Sequence, residues 1–123
     1  MTLKSIKILI AEDELALSNA LQLKLKKEGY DTVIAGNGQE AIEQLDKDKF
    51  DLVLLDLVMP VVDGFGVMEH VKAKNIKTKI VVLSNLSQIE DIGRVKTLGA
   101  SDYFIKSEMP LSEIIAYIKK NIG

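Results

Sequence analysis

The chain has 123 residues, a length typical of one domain, and we expect residues 1–123 to form a single domain. Hydrophobic residues make up 47% of the chain, which is enough for a continuous core. The formal net charge is −2 and the positive residues are spread along the chain, so we predict no direct binding to nucleic acid. The absence of cysteine excludes disulfides, thiolate metal sites and thiol catalysis.

The first residues carry no signal-peptide core, and no apolar stretch approaches membrane-spanning length. We therefore expect a cytoplasmic protein that makes no contact with a membrane.

Five short apolar runs alternate with longer segments in which apolar residues recur at helical spacing. The runs cover residues 6–11, 32–35, 52–55, 80–83 and 103–105. Runs this short and this rich in Val and Ile are typical of strands buried on both faces of a parallel sheet. The alternation predicts an α/β fold with right-handed crossovers and helices on both faces of the sheet.

Helix starts are indicated by residues that can cap them. The candidates are Asn37 with Glu40 for the second helix, Asp63 for the third, Ser87 with Glu90 for the fourth, and Pro110 in the first turn of the fifth.

Polar residues follow four of the five apolar runs. Glu12 and Asp13 follow the first, Asp56 the third, Ser84 the fourth and Lys106 the fifth. Each has an ordinary explanation alone, since acids and serines cap helices and lysines lie on surfaces. Because the carboxyl ends of parallel strands meet at one edge of a sheet, we expect all five to lie close together. Three carboxylates crowded there would repel one another and require positive charge.

One lysine cannot balance three carboxylates, so a divalent cation is expected at this edge. Oxygen ligands without His or Cys favour Mg²⁺. Such a site suits phosphoryl transfer to an aspartate, which carries the group as an acyl phosphate. We interpret Asp56 as the nucleophile, because Glu12 and Asp13 are adjacent in sequence and better placed to hold metal. Ser84 and Lys106 would contact the phosphoryl oxygens.

The order and spacing of these residues are similar to those of a known family. The matching segments are Glu12-Asp13, Asp56-Leu57-Val58-Met59-Pro60, Asp63-Gly64, Ser84, and Leu98-Gly99-Ala100 leading to Tyr103 and Lys106. Together they resemble the receiver domain of two-component response regulators, over about residues 6–122. The resemblance implies a flavodoxin-like fold, with five parallel strands in the order 2-1-3-4-5 and helices on both faces. It also implies that a histidine kinase or a phosphotransfer protein donates the phosphoryl group.

The resemblance assigns roles to individual residues. It makes Asp56 the phosphoacceptor and places Ser84 and Lys106 on the phosphoryl oxygens. It makes the side chains of Asp13 and Asp56 and the backbone carbonyl of Val58 ligands of Mg²⁺, with Glu12 holding the ion directly or through water. It makes Tyr103 the switch aromatic, which turns inward as the serine moves toward the phosphate. The surface of the fourth helix, fifth strand and fifth helix would then change and bind a downstream protein or a second copy of the chain.

The sequence departs from the family pattern after Lys106. Ser107 stands where most members have proline, and the family's Lys–Pro bond is usually cis. A cis bond before serine costs about 3–4 kcal/mol. Either this bond is cis despite that cost or the loop runs differently.

Three alternatives remain for this fold class. A pseudo-receiver would use the fold only for protein contacts, although Asp13, Asp56, Ser84 and Lys106 are all present. A flavodoxin-like cofactor binder would place a phosphate on the loop after the first strand, where acids would repel it. A phosphatase with an aspartate nucleophile usually has a second acid two residues later, where this chain has Val58. We expect a phosphoacceptor that assists its own phosphorylation and dephosphorylation and is not a turnover enzyme.

Overall fold

The computed structural model describes residues 5–86 and 88–122, in which five strands alternate with five helices. The strands are β1 (Lys7–Ala11), β2 (Asp31–Ala35), β3 (Leu52–Leu55), β4 (Lys79–Ser84) and β5 (Asp102–Ile105). The helices are α1 (Leu15–Lys27), α2 (Gly38–Lys47), α3 (Gly64–Ala73), α4 (Ile89–Thr97) and α5 (Leu111–Asn121). Each predicted apolar run corresponds to one strand. No helix in these two stretches is long and apolar enough to cross a lipid bilayer.

The strands form one parallel sheet in the order β2-β1-β3-β4-β5, which confirms the predicted topology. In this order β1 and β3 are neighbours, and Ala11 pairs with Leu55 at their carboxyl ends. The N–H of Asp56 donates to the Ala11 carbonyl at 3.0 Å, which extends the contact by one residue. The sheet register therefore brings the residues that follow β1 beside the residues that follow β3.

The core consists of two layers, one on each face of the sheet. Leu9, Val53 and Val82 face the layer that α2, α3 and α4 complete. Their neighbours in sequence face the layer that α1 and α5 complete. The inner strands are buried on both faces because helices cover both, which explains their uninterrupted apolar sequences.

Two of the predicted helix caps are confirmed. Asn37 Oδ1 accepts a hydrogen bond from the N–H of Glu40 at 2.9 Å, and Asp63 Oδ1 accepts one from the N–H of Gly66 at 2.9 Å. Ser87 lies outside the described residues. Pro110 was predicted to lie in the first turn of the fifth helix, but it is the residue directly before α5.

Two glycines, Gly38 and Gly64, lie very close to backbone atoms of the segment between β3 and α3. A Cβ atom at Gly38 would lie 2.0 Å from the Val62 carbonyl oxygen. A Cβ atom at Gly64 would lie 2.4 Å from the Asp56 carbonyl oxygen. Any side chain at either position would displace this loop, so the glycines keep it close to the end of β3.

Val61, in the same loop, has an unfavourable backbone conformation. Its φ is +69°, and its side chain is 77% exposed. A β-branched residue is disfavoured in the left-handed region because its Cβ crowds the following carbonyl oxygen. Because its side chain is exposed, packing of that side chain does little to compensate for this conformation.

We expect Val61→Asn to raise the free energy of unfolding by about 1 kcal/mol, because Asn tolerates positive φ. Urea denaturation followed by circular dichroism measures the change. Val61→Thr is the matched control, since it keeps the β-branch and should leave stability within about 0.5 kcal/mol of the parent. Equal stabilisation by Thr and Asn would show that polarity, not backbone strain, is responsible.

Candidate functional site

Three carboxylates meet at the carboxyl edge of the sheet. Glu12 and Asp13 follow β1, and Asp56 follows β3. One ligand oxygen from each lies within 4.8 Å of the others. Glu12 is 3% exposed and Asp56 is 5% exposed, whereas Asp13 faces solvent. The structure therefore brings together the three acids that the sequence indicated.

The Lys106 ammonium, which follows β5, lies among these carboxylates. Its Nζ is 2.7 Å from Glu12 Oε1, 3.0 Å from Asp56 Oδ2 and 3.6 Å from Glu14 Oε1, and its side chain is 12% exposed. Burial alone would lower the pKa of Lys106, but its bonds to Glu12 and Asp56 raise that pKa above the ordinary value. The lysine is therefore charged, and it offsets one of the three negative charges.

Glu12 is the most deeply buried of the three acids. Burial raises its pKa from an ordinary 4.5 to about 7, although hydrogen bonds from Lys106 and from the Glu14 N–H oppose the rise. The negative charge of Asp56 raises the pKa further. The charged form of Glu12 is thus costly at neutral pH unless a further cation approaches.

Both oxygens of Asp56 accept a hydrogen bond. Oδ1 accepts from the Val58 N–H at 3.2 Å, and Oδ2 accepts from Lys106 at 3.0 Å. The first bond reaches two residues along the chain, in the manner of an Asx turn. It fixes the carboxylate at the wall of a small cavity.

This cavity has a volume of about 270 Å³. Its lining residues are Asp13, Asp56, Val58, Ser84, Asn85 and Lys106. Five of these were predicted to belong to the site, and Asn85 was not. Asn85 directly follows Ser84, so extending the predicted strand end by one residue would have found it.

A larger cleft of about 490 Å³ lies at the opposite edge of the sheet, between the ends of α2 and α3. Four of its nine lining residues are lysines, and none is a candidate site residue. The smaller cavity is nevertheless the better candidate for a functional site, because it contains buried charged groups with defined hydrogen-bond partners.

Ser84 and Tyr103 are connected through the segment that follows β4. Ser84 is fully buried, and its Oγ accepts a hydrogen bond from the Leu86 N–H at 3.4 Å. The Tyr103 hydroxyl donates to the Leu86 carbonyl oxygen. Burial raises the pKa of Tyr103, and the negative charges of Asp91 and Asp56 raise it further. The bond to Leu86 places the Tyr103 hydroxyl against the loop that carries Ser84.

The loop after Lys106 differs from the family pattern. No peptide bond is cis in the part of the chain that the structure describes, so Lys106–Ser107 is trans. Lys106–Glu108 form a single 3₁₀ turn, and the Ser107 N–H donates to Asn85 Oδ1 at 2.9 Å. The sequence left open either a cis bond before Ser107 or a loop that runs differently from that of the family, and the structure has the second.

The chemistry of this cluster fits a hard divalent cation. Its donors are carboxylate oxygens, two of the three acids are buried, and one lysine does not neutralise them. Mg²⁺ prefers such donors and retains waters that leave space for a phosphoryl group.

Comparison with known proteins agrees with these observations. The family model of the response regulator receiver domain matches residues 8–119. The transcriptional regulatory protein TrcR of Mycobacterium tuberculosis is 34% identical over 93% of this chain and 44% of its own length. The chain spans less than half the length of the curated relatives that it matches.

Solved receiver structures are also similar. The response regulator TrrA of Thermotoga maritima, solved in complex with Mg²⁺ and BeF, is 30% identical. The alignment covers 94% of this chain and 97% of TrrA, with a TM-score of 0.80. The non-phosphorylated HemR receiver domain of Leptospira biflexa is 27% identical, with a TM-score of 0.88 over 97% of this chain and 95% of its own. Because the family model covers residues 8–119, the chain belongs to the family of response regulator receiver domains.

Proposed function

We propose that residues 1–123 form one receiver domain in which Asp56 accepts a phosphoryl group during two-component signalling, in a reaction that requires Mg²⁺. The observation that carries this proposal is the environment of Asp56. Its carboxylate lines a cavity beside two further acids, and the Lys106 ammonium lies 3.0 Å from its Oδ2. The Mg²⁺–BeF complex of the similar protein TrrA supports the choice of ion.

The chemical step joins Asp56 to phosphorus. An oxygen of its carboxylate forms a P–O bond while the P–N bond of a phosphohistidine donor breaks. The electron pair of the broken bond goes to the imidazole nitrogen, which then takes a proton. Lys106 would neutralise charge on the phosphoryl oxygens, and Ser84 would donate a hydrogen bond to one of them. Phosphoryl transfer requires little more of the protein than positioning and neutralisation.

In this proposal, Asp13, Asp56 and the Val58 carbonyl would hold Mg²⁺, and Glu12 would contribute directly or through water. Val58 lines the cavity, and its N–H already binds Asp56, so its backbone lies beside the reacting carboxylate. When bound, the ion neutralises the carboxylates and lowers their repulsion of an anionic phosphoryl group.

The donor in this proposal is a histidine kinase or a phosphotransfer protein. The chain assists its own phosphorylation and dephosphorylation rather than turning over a substrate. A pseudo-receiver that acts only through protein contacts is the alternative, and phosphorylation experiments separate the two.

The output in this proposal is a change in the surface formed by α4, β5 and α5. Tyr103 lies on β5 and donates to Leu86, which precedes α4, so its position is coupled to the segment that carries Ser84. Movement of Ser84 toward a phosphoryl group would alter these bonds and shift α4. Ile89, at the start of α4, is 85% exposed and would present apolar area to a downstream protein or to a second copy of the chain.

We expect Asp56→Asn to abolish phosphorylation, because an amide is a poor nucleophile toward phosphorus. Acetyl phosphate with Mg²⁺ should add one phosphoryl group to the parent chain, measured by intact mass. Asp48→Asn, a change to an exposed acid far from the cavity, should leave the label unchanged. Parent-level labelling of Asp56→Asn would refute the assignment, whereas an unlabelled parent would favour the pseudo-receiver.

We expect Mg²⁺ to bind about tenfold more weakly at pH 6 than at pH 8, because Glu12, with its pKa raised to about 7, must lose a proton first. Calorimetric titration of Mg²⁺ measures this dependence. Since the folded-state pKa exceeds 4.5, the metal-free protein should also lose stability as pH rises from about 4.5 to about 7.

Glu12→Gln should remove most of this pH dependence, since glutamine does not titrate. Glu14→Gln is the matched control, because Glu14 contacts the same lysine at 3.6 Å from an exposed position. Its pH dependence should resemble that of the parent. A steep dependence that survives in Glu12→Gln would assign the proton to another group.

We expect Tyr103→Ala to separate phosphorylation from the response of α4. When Mg²⁺ and beryllofluoride are added, the changes in amide chemical shift near Asp56 should match those of the parent. The changes across Ile89–Thr97 should fall to less than about half of the parent's changes. Tyr117→Phe, which removes a hydroxyl from α5, is the control and should retain the α4 response. Undiminished α4 shifts in Tyr103→Ala would argue against this route.

A further inference from the structure

Asn85 connects two loops at the mouth of the cavity. It belongs to the loop after β4 and lines the cavity itself. Its Oδ1 accepts from the Ser107 N–H at 2.9 Å, although the two residues are 22 positions apart. Because a backbone N–H is a donor, the oxygen of the Asn85 side-chain amide, and not its nitrogen, faces Ser107.

We propose that Asn85 is a positioning residue for phosphoryl transfer: it holds the Ser107 N–H and thereby keeps the Lys106 ammonium in place beside Asp56. This inference rests on the proposed function, since it concerns the geometry of that reaction.

The argument begins with the position of Lys106. Its Nζ must lie within bonding distance of both Asp56 and Glu12, and it is held there at the end of a long, flexible side chain. Lys106 and Ser107 share a peptide unit, so anchoring the Ser107 nitrogen also anchors the start of the lysine side chain. Small displacements of a positioned group lower the rate of transfer even when the fold is intact.

The bond depends on the identity of residue 107. Proline has no N–H and could not donate to Asn85, whereas serine can. The Lys106–Ser107 bond is trans and lies within the 3₁₀ turn Lys106–Glu108, from which the Ser107 N–H donates to Asn85. Asn85 and Ser107 therefore act as a matched pair, and the effect of changing one depends on the presence of the other.

A different role for Asn85 makes a different prediction. If its amide contacted the incoming phosphoryl group directly, removal of the side chain would have the same effect whichever residue occupied position 107. A double-mutant cycle distinguishes these two roles, because the hydrogen bond from the Ser107 N–H predicts coupling between positions 85 and 107, whereas direct contact with the phosphoryl group predicts none.

The test compares four chains: the parent, Asn85→Ala, Ser107→Pro and the double variant. The rate constant for labelling by acetyl phosphate is measured by intact mass at saturating Mg²⁺. Asn85→Ala should slow the parent about two- to tenfold, the range expected from one hydrogen bond. In the Ser107→Pro background the same change should alter the rate less than about twofold. Asn121→Ala, which removes a side-chain bond to the Tyr117 carbonyl in α5, is the control and should leave the rate unchanged.

Amide hydrogen exchange supplies an independent measure. Asn85→Ala should speed exchange at Ser107 at least about threefold while leaving the sheet amides protected, since the change is local. General acceleration across the sheet would indicate a loss of stability instead and would overturn the proposal.

Equal slowing by Asn85→Ala in both backgrounds would assign Asn85 to direct contact with the phosphoryl group, and no slowing in either would deny it a role. Both results overturn the proposal. If the parent itself takes no label, the proposed function fails and the positioning role fails with it. Hydrogen exchange at the Ser107 amide would still show whether its hydrogen bond to Asn85 exists.

Discussion

The interaction on which this structure depends is the ion pairing of Lys106 with the carboxylates at the carboxyl edge of the sheet. Glu12 and Asp56 are almost fully buried there, and two buried negative charges a few ångströms apart are costly without a positive partner. Lys106 binds both acids, yet it leaves negative charge uncompensated. That remaining negative charge is what the proposed Mg²⁺ would neutralise before an anionic phosphoryl group could approach.

The sheet makes this arrangement possible by fixing the ends of its strands. The pairing of Ala11 with Leu55 places the acids after β1 and β3 side by side, and two apolar layers hold the strands in this register. The loops then refine the position of each group. Close packing at Gly38 and Gly64 holds the loop after Asp56, and the Asn85 side chain holds the loop after Lys106. The strands thus set the approximate positions of these groups, and a few loop contacts set their finer placement.

The fold and most of the site followed from local sequence patterns. Each apolar run corresponds to a strand, and the three inner strands are uninterrupted apolar sequences because helices bury both of their faces. Asn37 and Asp63 cap helices because their short side chains reach backbone N–H groups within three residues. The expectation that the acids, Ser84 and Lys106 share one edge needed only the rule for parallel sheets. The strand order also drew on the resemblance to a known family.

What the sequence could not supply depends on residues far apart in the chain. Nothing near Asn85 predicts its bond to Ser107, because that contact exists only once β4 and β5 lie side by side. The trans bond at Lys106, the positive φ of Val61 and the raised pKa of Glu12 likewise result from packing by distant segments. The sequence by itself determined which chemical groups are present and which strand ends carry them, because periodicity and strand ends are local properties. Only the tertiary structure decided their distances, burial and hydrogen-bond partners, because these depend on the simultaneous packing of the whole sheet and its helices.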